Sequence, residues 1–395
     1  MSRRSQPLPS NTGIAIVGAG LSGLSVGWYL ARRGVEVTLF DSGRAGQGAS
    51  WAAAGMLAPQ VEAEPGEESL LPLLLHSRAA WPAFAAELEA ASGQKLDYRD
   101  DGTLMVALDR DDAERLAFQR DYFTDQGLSV EWLSSREVQR LEPYLTRRVT
   151  AGLRSPLDHQ VDNRKVVAAL KAAFLAAGGH LRENCAVQEI LTTGGKLSGL
   201  GTAEGEVSAD CVVLAAGAWS HDIAGLPAAA RPPVRPVKGQ MAAVQMPAAA
   251  PLLRHVVWIP EGYLVPRLDG RLIVGGTVEE MGFDESLTAG GVMEVLRNAW
   301  EALPGIYDLP LIETWSGFRP TSRDDAPILG PCALPGLVMA TGHHRQGVLL
   351  APVTAEAVSA YILEGALPAV ARPFTMARFA APSVKTREQR GARAS

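Results

Sequence analysis

The apolar residues near the start of the chain form two short strand patterns separated by a helical one. Residues 14–17 are apolar and mostly β-branched, which is typical of a buried parallel strand. Apolar residues then recur at helical spacing as far as Gly34, a residue type that commonly ends a helix. A second strand pattern follows at residues 35–40, where Val35, Val37, Leu39 and Phe40 are apolar. This order of strand, helix and strand predicts the first unit of a doubly wound α/β sheet.

The turn between the first strand and the helix carries a G-x-G-x-x-G motif at residues 18–23, here called the fingerprint loop. We expect Gly18 to permit a tight turn, Gly20 to let a pyrophosphate approach the backbone, and Gly23 to let the helix lie close to the strand. The free N–H groups at the helix N-terminus favour phosphate. Asp41 follows the second strand, where a carboxylate accepts hydrogen bonds from ribose hydroxyls. The motif predicts a dinucleotide site but does not distinguish FAD from NAD.

Three later segments are rich in small residues. Eight of the ten residues at 46–55 are glycine, alanine or serine. Residues 211–220 form a strand pattern ending in small residues, and residues 337–352 form a strand, a loop and a helix start. Such segments let backbone N–H groups approach a flat ring and a diphosphate, which favours FAD. For the first run, a helix start packed on a neighbour explains the composition equally well.

The middle of the chain lacks the dinucleotide pattern. Short strand-like runs at 241–245, 256–259, 263–265 and 272–274 predict an antiparallel sheet, and helical patterns occur near 69–91 and 111–126. The fold class expected is therefore α/β, a Rossmann-like FAD-binding domain with an interleaved α+β substrate domain built on an antiparallel sheet. The expected boundaries are 11–82, 151–235 and 315–378 for the FAD-binding domain, 83–150 and 236–314 for the substrate-binding domain, and 1–10 and 379–395 for flexible termini.

Composition narrows the class of protein. The 395 residues carry a net charge of −6, whereas a nucleic-acid-binding protein needs a basic face. The three cysteines are widely spaced and form no C-x-x-C pair, and the histidines show no metal-ligand spacing. No apolar run reaches the length of a membrane span. We therefore expect a cytoplasmic protein without a metal, a nucleic-acid partner or a membrane partner.

Several motifs in their order along the chain resemble one family of flavoproteins. They are GAGLSG at 18–23, Asp41-Ser42, ASWAAAGMLAP at 49–59, PVKG at 236–239, GYLVPR at 262–267, GFRP at 317–320 and GHHRQGVLLAP at 342–352. With these motifs the chain resembles the D-amino-acid oxidase family, and within it the glycine oxidases associated with thiamine biosynthesis.

The resemblance implies a set of FAD-binding residues. These are Gly18, Gly20, Leu21, Ser22, Gly23, Asp41, Ser42, Ala49, Ser50, Ala54, Gly55, Met56, Val187, Gly217, His343, His344, Arg345, Gln346, Gly347, Val348 and Leu349. Related sarcosine oxidases attach the flavin to a cysteine near the late Arg-Pro motif, but residues 317–327 contain no cysteine here. We therefore expect noncovalent FAD.

The substrate side is predicted from charge as well as from the resemblance. An arginine fork binds both oxygens of a carboxylate, and Arg319 matches the family's carboxylate-binding arginine. Tyr263 matches a tyrosine that contacts the same carboxylate, and Arg345 matches a second arginine near substrate and flavin. From the residues alone, Arg319 also suits a structural ion pair and Tyr263 an edge-strand aromatic. Lys238 suits oxygen activation and a sheet-edge lysine equally.

The resemblance implies oxidation of glycine or another small amine, with water and O2 completing the reaction to a 2-oxo acid, ammonia and hydrogen peroxide. The alternatives are a D-amino-acid or sarcosine oxidase, a D-amino-acid dehydrogenase linked to another acceptor, an NAD-dependent dehydrogenase and a non-catalytic flavoprotein. A homo-oligomer is expected by analogy with the family.

Overall fold

The structure is a computed structural model that describes residue 9 and residues 11–380. Most of the two termini expected to be flexible, residues 1–8, 10 and 381–395, lies outside the described residues. Phe379 was expected to belong to the flexible C-terminal end, but it packs against the apolar cluster below the first sheet. The guanidinium of Arg378 lies 4.2 Å from the centre of its ring.

The helices and strands include those that the sequence patterns predict, together with others. The helices are α1 (Leu21–Ala31), α2 (Ala49–Ala52), α3 (Leu71–Ser92), α4 (Arg110–Asp125), α5 (Ser135–Leu141), α6 (Asn163–Ala176), α7 (Ala289–Ala302) and α8 (Ala351–Glu364). The strands are β1 (Asn11–Val17), β2 (Val37–Phe40), β3 (Met56–Leu57), β4 (Thr103–Ala107), β5 (Glu131–Ser134), β6 (Ala151–Ser155), β7 (His159–Gln160), β8 (His180–Arg182), β9 (Val187–Thr193), β10 (Lys196–Thr202), β11 (Gly205–Leu214), β12 (Val234–Gln245), β13 (Val256–Ile259), β14 (Gly262–Pro266), β15 (Arg271–Gly275), β16 (Leu311–Ser322), β17 (Ile328–Pro331) and β18 (Leu337–Thr341).

The first sheet has the doubly wound arrangement that the sequence predicts. Strands β18, β11, β1, β2 and β8 lie side by side and are parallel, β17 pairs antiparallel at one edge, and β9 and β10 extend from β11 as an antiparallel meander. Side chains from α1, α3, α6 and α8 pack into one large apolar core with this sheet. Side chains from the meander form a second apolar cluster with β1 and β11. Burial on both faces explains why residues 14–17 of β1 and strand β18 are almost entirely apolar.

The second sheet is antiparallel with one exception. Its order is β16-β12-β15-β14-β13-β4-β6-β5, and β13 and β4 form the single parallel pair. Apolar side chains of α7 pack with one face of the sheet. The other face contributes Met241, Val265 and Trp315 to a cluster with Ala52 and Ala54 of the small-residue run. The two sheets therefore meet at the run that the sequence associates with FAD.

Strand pairing places some residues differently from the expected domain boundaries. Strand β6 was expected in the FAD-binding domain, but it pairs with β4 and β5 in the second sheet. Strand β16 continues through residue 315 to Ser322 and pairs with β12 along its length. Helix α3 continues through residue 82, where a boundary was expected. The expected boundaries at 82/83, 235/236 and 314/315 fall within α3, β12 and β16, and the boundary at 150/151 separates β6 from the strands with which it pairs. The division into two domains otherwise stays a prediction.

Parallel strands bring the ends of distant segments together. Strands β1, β2, β11 and β18 end at Val17, Phe40, Leu214 and Thr341, respectively, at one edge of the first sheet. The loops that follow them contain the fingerprint loop, Asp41, Gly217 and the segment 342–350. In doubly wound sheets a ligand binds at this edge.

Among the described residues, no single helix is long and apolar enough to cross a membrane. The helical segments Ala351–Glu364 and Ala369–Phe379 reach that length and composition when taken as a pair, and they are bent by 98° relative to each other.

Candidate active site

A cavity of about 1910 Å³ lies between the strand ends of the first sheet and the inner face of the second sheet. Most of the predicted cofactor and substrate residues line it, whereas Gly23, Gln346 and Leu349 do not. Glu62, Met241, Trp258, Thr277 and Phe318 also line it, although the sequence pattern did not indicate them as site residues.

The fingerprint loop requires glycine at its two ends for different reasons. Gly18 has a φ of 100°, and a Cβ there would lie 2.4 Å from the carbonyl oxygen of Ala215. A Cβ at Gly23 would lie 1.9 Å from the carbonyl oxygen of Gly18, so the helix can approach the loop this closely with glycine. Gly20 begins α1 without a side-chain cap of its own. The first helical N–H group, that of Leu21, donates instead to Ser50 Oγ at 2.8 Å.

Asp41 links the fingerprint loop to the turn after β2. One carboxylate oxygen accepts from the Ala19 N–H at 2.8 Å and the other from the Gly43 N–H at 2.9 Å. The side chain also lines the cavity. Since each carboxylate oxygen has a second lone pair, Asp41 can accept a ribose hydroxyl while it orders both backbone segments.

The small-residue run adopts a short helix that faces the second sheet. Gly317 lies against this helix, where an added Cβ would be 2.4 Å from that of Ala52. Trp315 Nε1 donates to the Ala52 carbonyl at 3.0 Å, and Asn163 Nδ2 donates to the Ser50 carbonyl at 2.8 Å. The run packs tightly on a neighbour and also lines the cavity, so the packing interpretation does not exclude a role in binding FAD.

Arg267 fixes the end of this run and was not predicted to do so. Its guanidinium is buried and donates to the Ala54 carbonyl at 2.6 Å, to the Val161 carbonyl at 2.9 Å and to Asn163 Oδ1 at 3.0 Å. Burial lowers the pKa of Arg267 to about 10. This arginine belongs to the GYLVPR motif. A charged residue directly after an apolar strand is the sequence feature that could have indicated its role.

The late loop closes the cavity near the start of α8. His343 is buried, and its Nε2 lies 2.9 Å from Thr354 Oγ1. Burial lowers the pKa of His343 to about 4. Burial, assisted by Arg345, also lowers the pKa of His344 to about 3. Both imidazoles are therefore neutral at pH 7. The Leu349 carbonyl accepts from Ser77 Oγ and Trp81 Nε1, which fixes the loop from outside the cavity.

These features fit a dinucleotide cofactor. The cavity passes the uncapped N-terminus of α1, then Asp41 and Val187, where the nucleotide end is expected. Gly217, His343 and Val348 also line it. The close approaches at Gly18 and Gly23 are those that the dinucleotide-binding turn requires.

The substrate end of the cavity contains one arginine without an acidic partner. Within residues 11–380, no carboxylate forms an ion pair with Arg319, whose Nη1 donates to the carbonyls of Thr277 at 3.1 Å and Lys238 at 3.3 Å. Gly239 leaves space for it, since a Cβ there would lie 2.7 Å from Nη1. The Tyr263 hydroxyl lies close by. Burial raises the pKa of Tyr263, and the neighbouring Arg319 opposes that shift.

Arg345 also lines the cavity, but carboxylates of the same chain surround it. It donates to Glu67 Oε2 at 2.6 Å, and its Nε lies 3.4 Å from Glu62 Oε2. Glu64 is 3.5 Å away. These acids raise the pKa of Arg345 against the effect of burial. The two predicted arginines therefore differ, because Arg345 is neutralised by its neighbours and Arg319 is not.

Lys238 is fully buried in the second sheet and does not line the cavity. Its Nζ donates to the Ser286 carbonyl at 2.5 Å and lies 3.6 Å from Glu279 Oε2. This placement favours a structural lysine. Among the described residues, no cluster of three or more histidine, cysteine, aspartate or glutamate side chains has an arrangement that could hold a metal ion.

The fold and the cavity define a dinucleotide-dependent oxidoreductase. The chain matches the model of the FAD-dependent oxidoreductase family over residues 13–361, so it belongs to that family and its cofactor is FAD. This confirms the predicted family resemblance and the predicted fold class.

Relatives extend the comparison. Glycine oxidase from Geobacillus kaustophilus is 37% identical over 86% of this chain and 90% of its own. The crystal structure of that glycine oxidase superposes with a TM-score of 0.85 and 35% identity, covering 93% of this chain and 98% of its own.

Two more relatives bear on the activity. The bifunctional protein ThiO/ThiG from Synechocystis is 35% identical over 94% of this chain, which spans 55% of that protein. Iminodiacetate oxidase from Chelativorans has a TM-score of 0.83 and 27% identity, covering 92% of this chain and 98% of its own.

Proposed function

We propose that the protein oxidises glycine and other small amines or D-amino acids to a 2-oxo acid, ammonia or an amine, and hydrogen peroxide. The observation that carries the proposal is Arg319, a cavity-lining guanidinium with no acidic partner among the described residues. An unneutralised cation beside a flavin cradle suits a substrate that brings its own carboxylate.

The residues of the substrate end have separate tasks in this proposal. The fork of Arg319 binds the substrate carboxylate, and the Tyr263 hydroxyl donates to one of its oxygens. This hold fixes the orientation of the α-carbon in the cavity. When bound, FAD would supply the acceptor for the α-hydrogen, which leaves the substrate as a hydride. The protein contributes positioning, which can account for a large share of the barrier reduction.

The apolar walls complete the site. Met241 and Trp258 line the cavity beside Tyr263 and limit the access of water to the bound substrate. Exclusion of water strengthens the attraction between Arg319 and the substrate carboxylate. After hydride loss from the neutral amine the substrate is an iminium ion, and water hydrolyses it to the 2-oxo acid and ammonium.

The names of the relatives support the choice of an amine. Two of the compared proteins carry the names glycine oxidase and iminodiacetate oxidase, and both names describe a small amino acid or imino acid. The ThiO/ThiG name supports a supply of imine for thiazole synthesis, as a proposal for this chain. A cytoplasmic location and a homo-oligomeric assembly belong to the same proposal.

Peroxide release tests the proposal and separates its alternatives. The purified holoprotein is assayed with glycine, sarcosine, iminodiacetate and several D-amino acids under air. We expect glycine to give the highest kcat/KM. Preference for a larger D-amino acid or for sarcosine would assign the alternative oxidases. Substrate oxidation by an artificial acceptor without peroxide would assign an acceptor-linked dehydrogenase.

A further inference from the structure

Glu62 is an acidic residue inside the cavity, and the reaction proposed above assigns it no role. It follows β3 in a loop that a second buried acid fixes, because Asp158 accepts from the backbone N–H groups of Gln60 at 3.1 Å and Val61 at 2.8 Å. Residue Glu62 is 7% exposed and lines the cavity. Burial of a charged carboxylate costs free energy unless the group is paired or hydrogen-bonded, so the contacts of Glu62 indicate its role.

The side-chain contacts of Glu62 are made by one of its two carboxylate oxygens, Oε2. Oε2 accepts from Gln346 Nε2 at 2.7 Å and lies 3.4 Å from Arg345 Nε. Among the described residues, none donates a hydrogen bond to Oε1. Oε1 is also not enclosed by protein atoms, and the side chain borders the cavity. One oxygen is therefore anchored to protein and the other is available to a molecule in the cavity.

The charged groups around Glu62 shift its pKa in opposite directions. Burial raises the pKa of Glu62 to about 7, Asp158 and Glu64 add to that rise, and Arg345 and Arg319 oppose it. Glu62 and Arg319 are thus close enough to affect each other, and Tyr263 is affected by both of them. An acid and a free guanidinium at one end of the cavity match the ammonium and the carboxylate of an amino-acid zwitterion.

We propose that the Glu62 carboxylate binds the ammonium group of the substrate and accepts one of its protons. The inference rests on the proposed function. In this step an N–H bond of the ammonium breaks, its electron pair stays on nitrogen, and an O–H bond forms on Glu62. The neutral amine can then release a hydride from its α-carbon, because the nitrogen lone pair stabilises the developing cation. The proton leaves Glu62 to solvent after the product departs.

A purely structural role for Glu62 is the competing explanation, since Glu62 also neutralises Arg345. The variants Glu62→Gln and Glu67→Gln separate the two roles. Each removes one acidic partner of Arg345, but Glu67 does not line the cavity. The variant Glu62→Asp keeps the carboxylate with a shorter reach. The flavin absorbance of each purified variant reports whether it folds and holds cofactor.

The pH dependence of kcat/KM for glycine is the first measurement. The wild-type kcat/KM should fall as the pH drops below about 7, because Glu62 becomes protonated there. At neutral pH, Glu62→Gln should lower kcat/KM by about 10²- to 10⁴-fold, the usual contribution of a general base. Its activity should then rise with pH toward the pKa of the free substrate ammonium. Glu67→Gln should retain the wild-type acidic limb, and Glu62→Asp should retain that limb at reduced activity.

Binding of acetate is the second measurement, followed by the change in the flavin spectrum. Acetate has a carboxylate but no amine, so its Kd for Glu62→Gln should stay within about threefold of wild type or become tighter. The proposal is overturned if Glu62→Gln keeps the acidic limb, or if it weakens acetate binding as much as it lowers kcat/KM. Failure of wild-type protein to oxidise any amine would instead remove the proposed function.

Discussion

Replacement of Arg319 by alanine removes the group that the account assigns to the substrate carboxylate. In the structure its Nη1 donates to two backbone carbonyls at 3.1 and 3.3 Å. Among the described residues, no carboxylate forms an ion pair with it. A carboxylate bound by the rest of the fork gains two charge-assisted hydrogen bonds, each worth about 1.5–3 kcal/mol. The loss is then about 3–6 kcal/mol, which corresponds to roughly 10²- to 10⁴-fold in kcat/KM.

Steady-state peroxide release with glycine measures this loss. The effect should appear mainly as a higher KM, because the interaction holds the substrate before and during hydride transfer. Arg319→Lys should recover a small part of the activity, since an ammonium lacks the planar fork. The flavin absorbance of both variants should stay at the wild-type level.

Arg323 provides a matched control on the same segment. It is exposed and does not line the cavity, so Arg323→Ala should leave KM unchanged. An Arg319→Ala variant that retains FAD and the wild-type KM would refute the assignment of the substrate carboxylate to this arginine.

Three further predictions concern the cofactor. Gly23→Ala should greatly reduce FAD content, because the new Cβ would lie 1.9 Å from a carbonyl oxygen of the fingerprint loop, whereas Gly13→Ala, with its nearest neighbour at 3.7 Å, should retain FAD. Arg267→Met leaves three buried acceptors without their donor. Urea titration should show that this change lowers the free energy of unfolding by about 3–5 kcal/mol. The control Arg254→Met, at an exposed position, should change it by less than about 0.5 kcal/mol. Acid precipitation should release the yellow colour into the supernatant, because none of the three cysteines lines the cavity.

Each of these has a clear contrary outcome. Full flavin content in Gly23→Ala would mean that the loop does not need its close approach to α1. An unfolding free energy for Arg267→Met equal to that of the control would show that the small-residue run is held in another way. Colour retained on the precipitated polypeptide would establish a covalent flavin.

Local patterns account for what the sequence predicted well. The fingerprint loop, the acid at the end of β2 and the run before α8 are each defined within a few residues, where backbone geometry limits the residue type. In the structure these segments meet because parallel strands end at one edge of the sheet. The antiparallel second sheet was also readable from its short strands and frequent turns.

Long-range pairing accounts for what the sequence did not predict. Strand β6 looked like the resumption of the first domain, and its pairing with β4 depends on contacts with a segment about fifty residues earlier. The role of Arg267 depends on loops more than a hundred residues away in sequence. Glu62 stands in an acidic stretch that reads as surface, and its burial follows from Asp158 holding the loop.

The central claim is that this cavity brings an amino acid to a bound flavin. The most direct measurement is the visible spectrum of the purified holoprotein under anaerobic conditions, before and after the addition of glycine. The account predicts a flavin band near about 450 nm that glycine bleaches and that air restores. A protein that holds flavin reducible by dithionite, but that glycine and other small amines leave oxidised, would contradict it.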